Sequence, residues 1–158
     1  MNISPLRTDL IPDVLALMEL GSPYIRARTE SDYWLYATLF SSTCPIALID
    51  DTVVGAVMAF RSQDHRDDVY VQDVMTHPQY RQQGISTTLL SAVKDRATSW
   101  GCTRLYLTSE PGNTPAHTAW IRMGFTNVPG DRIANGVSVT SNFKGPGKDR
   151  AVYELTLN

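Results

Sequence analysis

Apolar positions along the chain change period several times, and each change marks an element. Residues 3–7 suit a short strand. Val14, Leu15, Leu17 and Met18 follow at helical spacing, with Thr8 or Asp9 as cap and Pro12 in the first turn; Gly21-Ser22-Pro23 stops that helix. Tyr33, Trp34, Tyr36, Ala37 and Phe40 predict a second helix from about Ser31. Pro45 to Ile49 and Val53 to Phe60 read as two strands around a tight Asp50-Asp51 turn. The polar stretch RSQDHRDD, residues 61–68, leads into a β-branched strand from Val69 to Thr76. Ile85, Leu89, Leu90 and Val93 give a helix over about 85–99, closed by Gly101. A strand from Arg104 to Thr108, a helix over about 114–123 stopped by Gly124, and a half-buried strand from Arg150 to Leu157 complete the pattern. Residues 126–149 are rich in Gly, Pro, Asn and Asp and offer one β-like patch, Val137–Thr140. The order β-α-α-β-β-β-α-β-α-β-β predicts a mixed α/β sheet with helices on both faces, in one domain over 1–158.

The totals narrow the function classes. At 158 residues, 42% hydrophobic and 19% charged, the chain suits a folded domain with a sizeable core. A net charge of −2 predicts no strong pull toward nucleic acid or anionic lipid. No apolar run approaches the ~20 residues of a membrane span. The N-terminus MNISPLRTDLIPDV has no apolar core of a signal peptide, so a cytoplasmic protein is expected. Cys44 and Cys102 stand apart, without metal-ligand spacing, and read as two buried thiols; no metal is expected.

The stretch VQDVMTHPQYRQQGISTTLL, residues 71–90, carries the most information. A β-branched strand ends at Thr76-His77-Pro78, a basic turn with Gly84 follows, and an amphipathic helix begins at Ile85. Strand, glycine turn and helix in that order aim backbone N–H groups and a positive helix end at one spot, which suits a phosphate. A second pattern lies downstream: Asn113-x-x-Ala116-x-x-Ala119-Trp120-x-x-x-Gly124-Phe125. Together they resemble the GNAT acetyltransferase superfamily, whose turn reads Arg/Gln-x-x-Gly-x-Gly/Ala and whose later motif reads Asn-x-x-Ala-x-x-apolar-Tyr-x-x-x-Gly-Phe. Arg81 and Gly84 match; Ser86 stands where Gly or Ala is usual.

That resemblance implies a mostly antiparallel sheet with a V-shaped split between two parallel strands, residues 70–76 and 104–108, in which acetyl-coenzyme A lies. Backbone groups of Val74 and Thr76 would pair with the acetyl-pantetheine arm, and the N–H groups of Val74 and Met75 would face the oxyanion. Gln82, Gln83, Gly84, Ile85 and Ser86 would cradle the pyrophosphate with Arg81 nearby, and Asn113 would reach the pantetheine. Ser86 would either donate to phosphate or crowd the loop. Ala116 and Ala119 read as close-packing residues without chemistry.

Amine attack on a thioester needs a proton acceptor, donors for the oxyanion and stabilisation of the leaving thiolate. Gln72-Asp73 occupies the place of a frequent Glu-Asp pair. Gln72 is no base. Asp73 can act as one, directly or through water, or hold the cationic amine; Glu110 is a second candidate. Strand alternation puts residues 72 and 73 on opposite faces, so only one points straight at the acceptor unless a bulge intervenes. Trp120 replaces the Tyr whose phenol protonates the thiolate in many relatives; an indole N–H donates a hydrogen bond but is no acid near pH 7. His117 shares a helical face with Asn113 and Trp120 and titrates in a suitable range, or else packs.

For the acceptor, the segment Tyr24 to Trp34 supplies Arg26, Arg28 and Tyr33, and arginine forks suit a carboxylate or phosphate, so a zwitterionic acceptor such as an amino acid or related amine would fit. Asp64, Asp67, Asp68 and Asp73 suggest instead a cationic amine such as a polyamine or aminoglycoside. The loop TSNFKGPGKDR, residues 140–150, fits closure over the acceptor or a dimer contact. The leading expectation is acetyl transfer to a primary amine of a small molecule. Acetylation of a protein Lys or N-terminus, a non-catalytic acyl-coenzyme A binding module, and a homodimer through the final strand stand beside it. A nucleotide phosphate-binding loop ranks last, because no Lys follows Gly84.

Overall fold

A computed structural model describes residues 1–158. Its strands are β1 (Asn2–Pro5), β2 (Pro45–Ile49), β3 (Thr52–Arg61), β4 (Asp68–Thr76), β5 (Arg104–Ser109), β6 (Thr126–Asn127), β7 (Arg132–Ala134), β8 (Val137–Val139) and β9 (Ala151–Thr156). The helices are α1 (Ile11–Glu19), α2 (Glu30–Leu39), α3 (Ile85–Ser99) and α4 (Thr114–Arg122). Seven strands form one sheet in the order β1-β2-β3-β4-β5-β9-β6. Only β4 and β5 run parallel; every other neighbouring pair is antiparallel.

Local chemistry places the elements close to where the apolar pattern puts them. Residues 8–10 form a 3-10 turn ahead of α1, and Asp9 pairs with Arg7 rather than capping the helix. Thr29 starts α2 with a reciprocal capping box to Asp32, one residue ahead of the expected Ser31 start. The stretch 126–149, expected to hold one β-like patch, contains the β7–β8 hairpin, turned through Asn135 (φ 52°) and Gly136 (φ 79°).

Two apolar clusters cover the two sheet faces. On one, Val69, Val71, Leu105 and Leu107 pack with Leu89, Leu90 and Val93 of α3, and Trp120 and Met123 of α4 join them. On the other, Met58 and Met75 pack with Val14, Leu17 and Met18 of α1 and the fully buried Tyr33 of α2.

The pairing of β4 decides where the site forms. Met58 lies opposite Asp73 but Ala59 lies opposite Val71, so Gln72 is an extra, bulged residue. One extra residue inverts the side-chain alternation: Val71 faces α3, whereas Met75 faces α1. Parallel pairing with β5 ends at Val71 and Leu107, immediately before the bulge. Beyond that level β4 continues along β3 to Thr76, β5 continues along β9 to Ser109, and the two diverge. The closed end of the split is pinned by Arg104, which donates to Asp68 Oδ2 at 3.2 Å and Glu154 Oε2 at 3.0 Å.

Gly55 sets the depth of α3. It pairs with Thr76 at the open end, and a Cβ there would lie 2.6 Å from Ile85 Cγ2. Only a missing side chain lets the first turn of α3 sit this close to β3. The turn before α3 is thereby fixed at the level where the split opens.

Candidate active site

The split is the floor of a cleft of about 1450 Å³. Its walls come from the β4 residues Gln72 to Thr76, the turn and first residues of α3, one face of α4, the α1–α2 connection and the β8–β9 loop. The two ends differ in chemistry.

At the α3 end, Gln82 (φ 63°) and Gly84 (φ 75°) take left-handed conformations. Gly84 is required by this φ rather than by crowding, since a Cβ there would meet nothing within 4 Å. No amide from Arg81 through Thr87 donates to a backbone carbonyl. Such a row of unpaired donors at a helix N-terminus suits a pyrophosphate. Arg81 lines this end, and Arg122 of α4, unmarked by its sequence, also lines the cleft. Ser86 neither crowds the turn nor hangs free: its hydroxyl lies 2.7 Å from Thr76 Oγ1 and ties α3 to β4. Gln83 lies beside the lining rather than on it.

The strand edge is equally defined. His77 N–H donates to Val54 O at 2.8 Å, which sets the phase of the β3–β4 ladder. Alternation then turns the main-chain groups of Asp73 and Met75 toward β3, and those of Val74 and Thr76 into the split. Of the two expected oxyanion donors, the Val74 amide faces the split and the Met75 amide belongs to the ladder. Asn113 Oδ1 accepts from Ala116 N at 3.2 Å and so caps α4, leaving its amide NH₂ toward the cleft it lines. An extended edge, a row of free amides and a long cleft fit the arm and phosphates of coenzyme A.

Asp73 stands at the junction of the two ends. It is 8% exposed, and its Oδ2 is buried without a hydrogen-bond partner. Burial pushes its pKa up, with Arg28 and Lys144 partly opposing. Arg28 Nε is likewise buried and unpartnered. The backbone of Arg28 is fixed from behind: its amide donates to Tyr33 Oη at 3.0 Å, and the Thr29 capping box follows directly. Tyr33 is therefore behind the wall and holds the Arg28 backbone from there. Arg26, Lys144, Lys148 and Arg150 line this end too, and Glu110 adds the second carboxylate. Asn142 (φ 56°), which accepts from Gly147 N at 2.8 Å, and Asp149, which pairs with Arg132, shape the loop that carries the lysines. Lys144 donates to Tyr70 Oη. Tyr70 and Ser109 were missed by sequence reasoning, since nothing in their spacing marks them; Arg150 ends the loop expected to close over the acceptor.

One expectation about charge is corrected for three of its four aspartates. Asp64, Asp67 and Asp68 sit at the other end of β4, away from the split, and Asp68 is committed to Arg104. The polyanionic acceptor surface they suggested is absent from the cleft. What remains there is five cations, Arg26, Arg28, Lys144, Lys148 and Arg150, against Asp73 and Glu110.

On α4, Trp120 lines the cleft and its Nε1 donates to Ser109 Oγ at 2.9 Å. His117 does not line it; His117 Nδ1 lies 2.5 Å from the Tyr153 hydroxyl, whose pKa burial pushes up to about 12. His117→Ala is accordingly expected to lower the melting temperature while changing kcat by no more than tenfold. A hundredfold loss of kcat with intact acetyl-coenzyme A affinity would contradict this. Both cysteines are buried, and burial pushes the Cys44 thiol up to about 12, so neither is a nucleophile here.

The model of the acetyltransferase (GNAT) family matches residues 14–125. The chain belongs to the GNAT family. Within it, L-2,4-diaminobutyric acid acetyltransferase of Nocardia farcinica is 33% identical over 87 residues, 55% of this chain and 45% of that protein. The enzyme of the same name from Vibrio cholerae is 22% identical over 147 residues, 92% of this chain and 85% of its own length. The chain thus matches less than half of the first relative and most of the second. Among solved structures, Paenibacillus lautus diaminobutyrate acetyltransferase, in complex with L-2,4-diaminobutyric acid and coenzyme A, superposes with a TM-score of 0.78. It shares 19% identity over 98% of this chain and 93% of that one. Ard1 from Thermoplasma volcanium reaches 0.81 at 11% identity, covering 99% and 97%. These likenesses establish the GNAT fold, including the split between the parallel strands. No helix is long and apolar enough to cross a membrane.

Proposed function

We propose that the chain is an acetyl-coenzyme A-dependent N-acetyltransferase whose acceptor is a small primary amine that also carries a carboxylate. A 2,4-diamino acid is the first candidate. The observation that carries this reading is the pair of buried, unpartnered polar atoms in one cleft, Asp73 Oδ2 and Arg28 Nε. Buried polar groups are almost always partnered. Two of opposite charge, left apart in a substrate-sized cleft, are complementary to the ammonium and carboxylate of a zwitterion. The names of the diaminobutyrate acetyltransferase relatives support the same class.

Acetyl-coenzyme A supplies the activated acyl group. Gln82 to Ser86 hold its phosphates with their amides, Arg81 adds charge, and Val74 and Thr76 align the arm along β4. The Val74 amide is the donor toward the thioester oxygen. Asp73 takes a proton from the acceptor ammonium, and its raised pKa makes it a better base than an exposed carboxylate. Arg28 holds the acceptor carboxylate. The surplus of cations at this end disfavours polyamines and aminoglycosides by like-charge repulsion.

The test is thiol release from acetyl-coenzyme A against diamino acids, polyamines, aminoglycosides and peptides bearing free N-termini or Lys. Diamino acids are expected to lead. Preference for peptides would favour a protein acceptor. Thermal stabilisation by acetyl-coenzyme A without turnover on any amine would favour a binding module.

A further inference from the structure

The structure assigns Ser109 as the hydroxyl that faces the leaving sulfur, with Trp120 as the residue that positions it; this rests on the acetyl-coenzyme A reading above. Ser109 is the last residue of β5, just beyond the level at which β4 and β5 part. It is 7% exposed and lines the split. Alternation along β5 puts it on the face of Leu105 and Leu107, toward α4. Trp120 Nε1 reaches it from that helix at 2.9 Å.

Hydrogen-bond accounting fixes the direction of the hydroxyl. An indole nitrogen can only donate, so Ser109 Oγ is the acceptor in this contact. Ser109 Oγ donates to no protein acceptor. Its proton is therefore available to the split, and the bond it accepts from Trp120 strengthens it as a donor. Trp120, spent on Ser109, cannot itself point its N–H at the sulfur. The function that many relatives place on a helix tyrosine moves here from α4 to the end of β5.

The step balances without an acid. The amine nitrogen bonds to the carbonyl carbon, the C–S bond breaks and its electron pair stays on sulfur. Ser109 keeps its proton and stabilises the thiolate by a hydrogen bond. Asp73 returns the ammonium proton to solvent before attack and then takes the second proton from the attacking nitrogen, and solvent protonates the thiolate.

The direct readout is the ionisation of the thiol of coenzyme A bound to the purified protein, followed by ultraviolet thiolate absorbance against pH. The bound thiol is expected to ionise at lower pH than the free one. Ser109→Ala should move that ionisation up by about one pH unit, as expected for loss of a hydrogen bond to a charged group. Trp120→Phe should move it less, and the double variant no further than Ser109→Ala. In turnover, Ser109→Ala should lower kcat about 10- to 100-fold with KM for acetyl-coenzyme A unchanged. Adding Trp120→Tyr should recover part of the loss by restoring a phenol. Tight binding of coenzyme A with the same thiol ionisation in wild type and Ser109→Ala overturns the assignment. Failure of wild type to bind coenzyme A overturns the donor reading beneath it.

Discussion

Asp73→Asn is expected to lower kcat/KM for the preferred acceptor by about 100- to 10,000-fold, the usual range for losing a positioned base, and to raise the melting temperature near neutral pH. Both effects have one cause. The carboxylate is buried and Oδ2 has no partner, so its charged form is costly and its pKa is raised. A carboxyl whose folded pKa exceeds its unfolded value contributes stability below the unfolded pKa. That contribution is lost as pH rises through the folded pKa. At neutral pH the wild-type protein therefore carries the cost, and an amide does not. Melting curves from pH 4 to 8 should show wild-type stability falling relative to Asp73→Asn as pH rises above the ordinary carboxylate range. The acid limb of kcat/KM, which reports ionisation of the free enzyme's base, should vanish in the variant. A variant less stable than wild type at neutral pH would mean that Asp73 is a structural ion-pair partner rather than a site held for the acceptor.

Gly55→Val is expected to have the largest effect on stability. A Cβ at this position falls 2.6 Å from Ile85 Cγ2, 3.1 Å from Leu89 Cδ1 and 3.4 Å from Met75 O. Ile85 and Leu89 are buried in the main cluster, so neither can swing away without opening the core. Overpacking of this kind typically costs about 1–3 kcal/mol, and more where a whole helix must move. The functional consequence follows from topology. The phosphate-facing turn rides on the first turn of α3, so lifting α3 displaces the amides of Gln82 to Ser86. Chemical denaturation should show the loss of stability, and calorimetry on the folded fraction should show acetyl-coenzyme A binding weakened at least tenfold. Unchanged affinity would separate the seat of α3 from the donor site.

Much of the α3 end of the cleft is legible in the sequence because each of its signals is local. β-branched alternation ends at Thr76, Gly84 marks a left-handed turn, and helical spacing restarts at Ile85. The acceptor end is not local. Gln72 becomes a bulge only through the register of β3, and that bulge turns Asp73 and Met75 toward α1 and α2. Arg28 and Asp73 share one cleft because the α1–α2 connection folds back to the open end of β4, which no spacing encodes. Asp64, Asp67 and Asp68 look in sequence like companions of Asp73, yet an extended strand carries them to its opposite end. Of the β7–β8 hairpin, β8 lies where the β-like patch Val137–Thr140 was expected and Asn135-Gly136 marks the turn, but β7 is three residues long, too short for alternation to register. The contact of Trp120 with Ser109 depends on α4 docking against the end of β5 and has no trace in either motif.

The central claim is that Asp73 and Arg28 read the two charges of one zwitterionic acceptor. It is tested most directly by kcat/KM for L-2,4-diaminobutyrate beside 1,3-diaminopropane, which has the same amine spacing without the carboxylate, in wild type and Arg28→Met. The account predicts a preference of at least tenfold for the amino acid in wild type, removed in Arg28→Met by loss of activity on the amino acid alone. Equal use of both amines by the wild-type protein, or an Arg28→Met variant that keeps the preference, would contradict it.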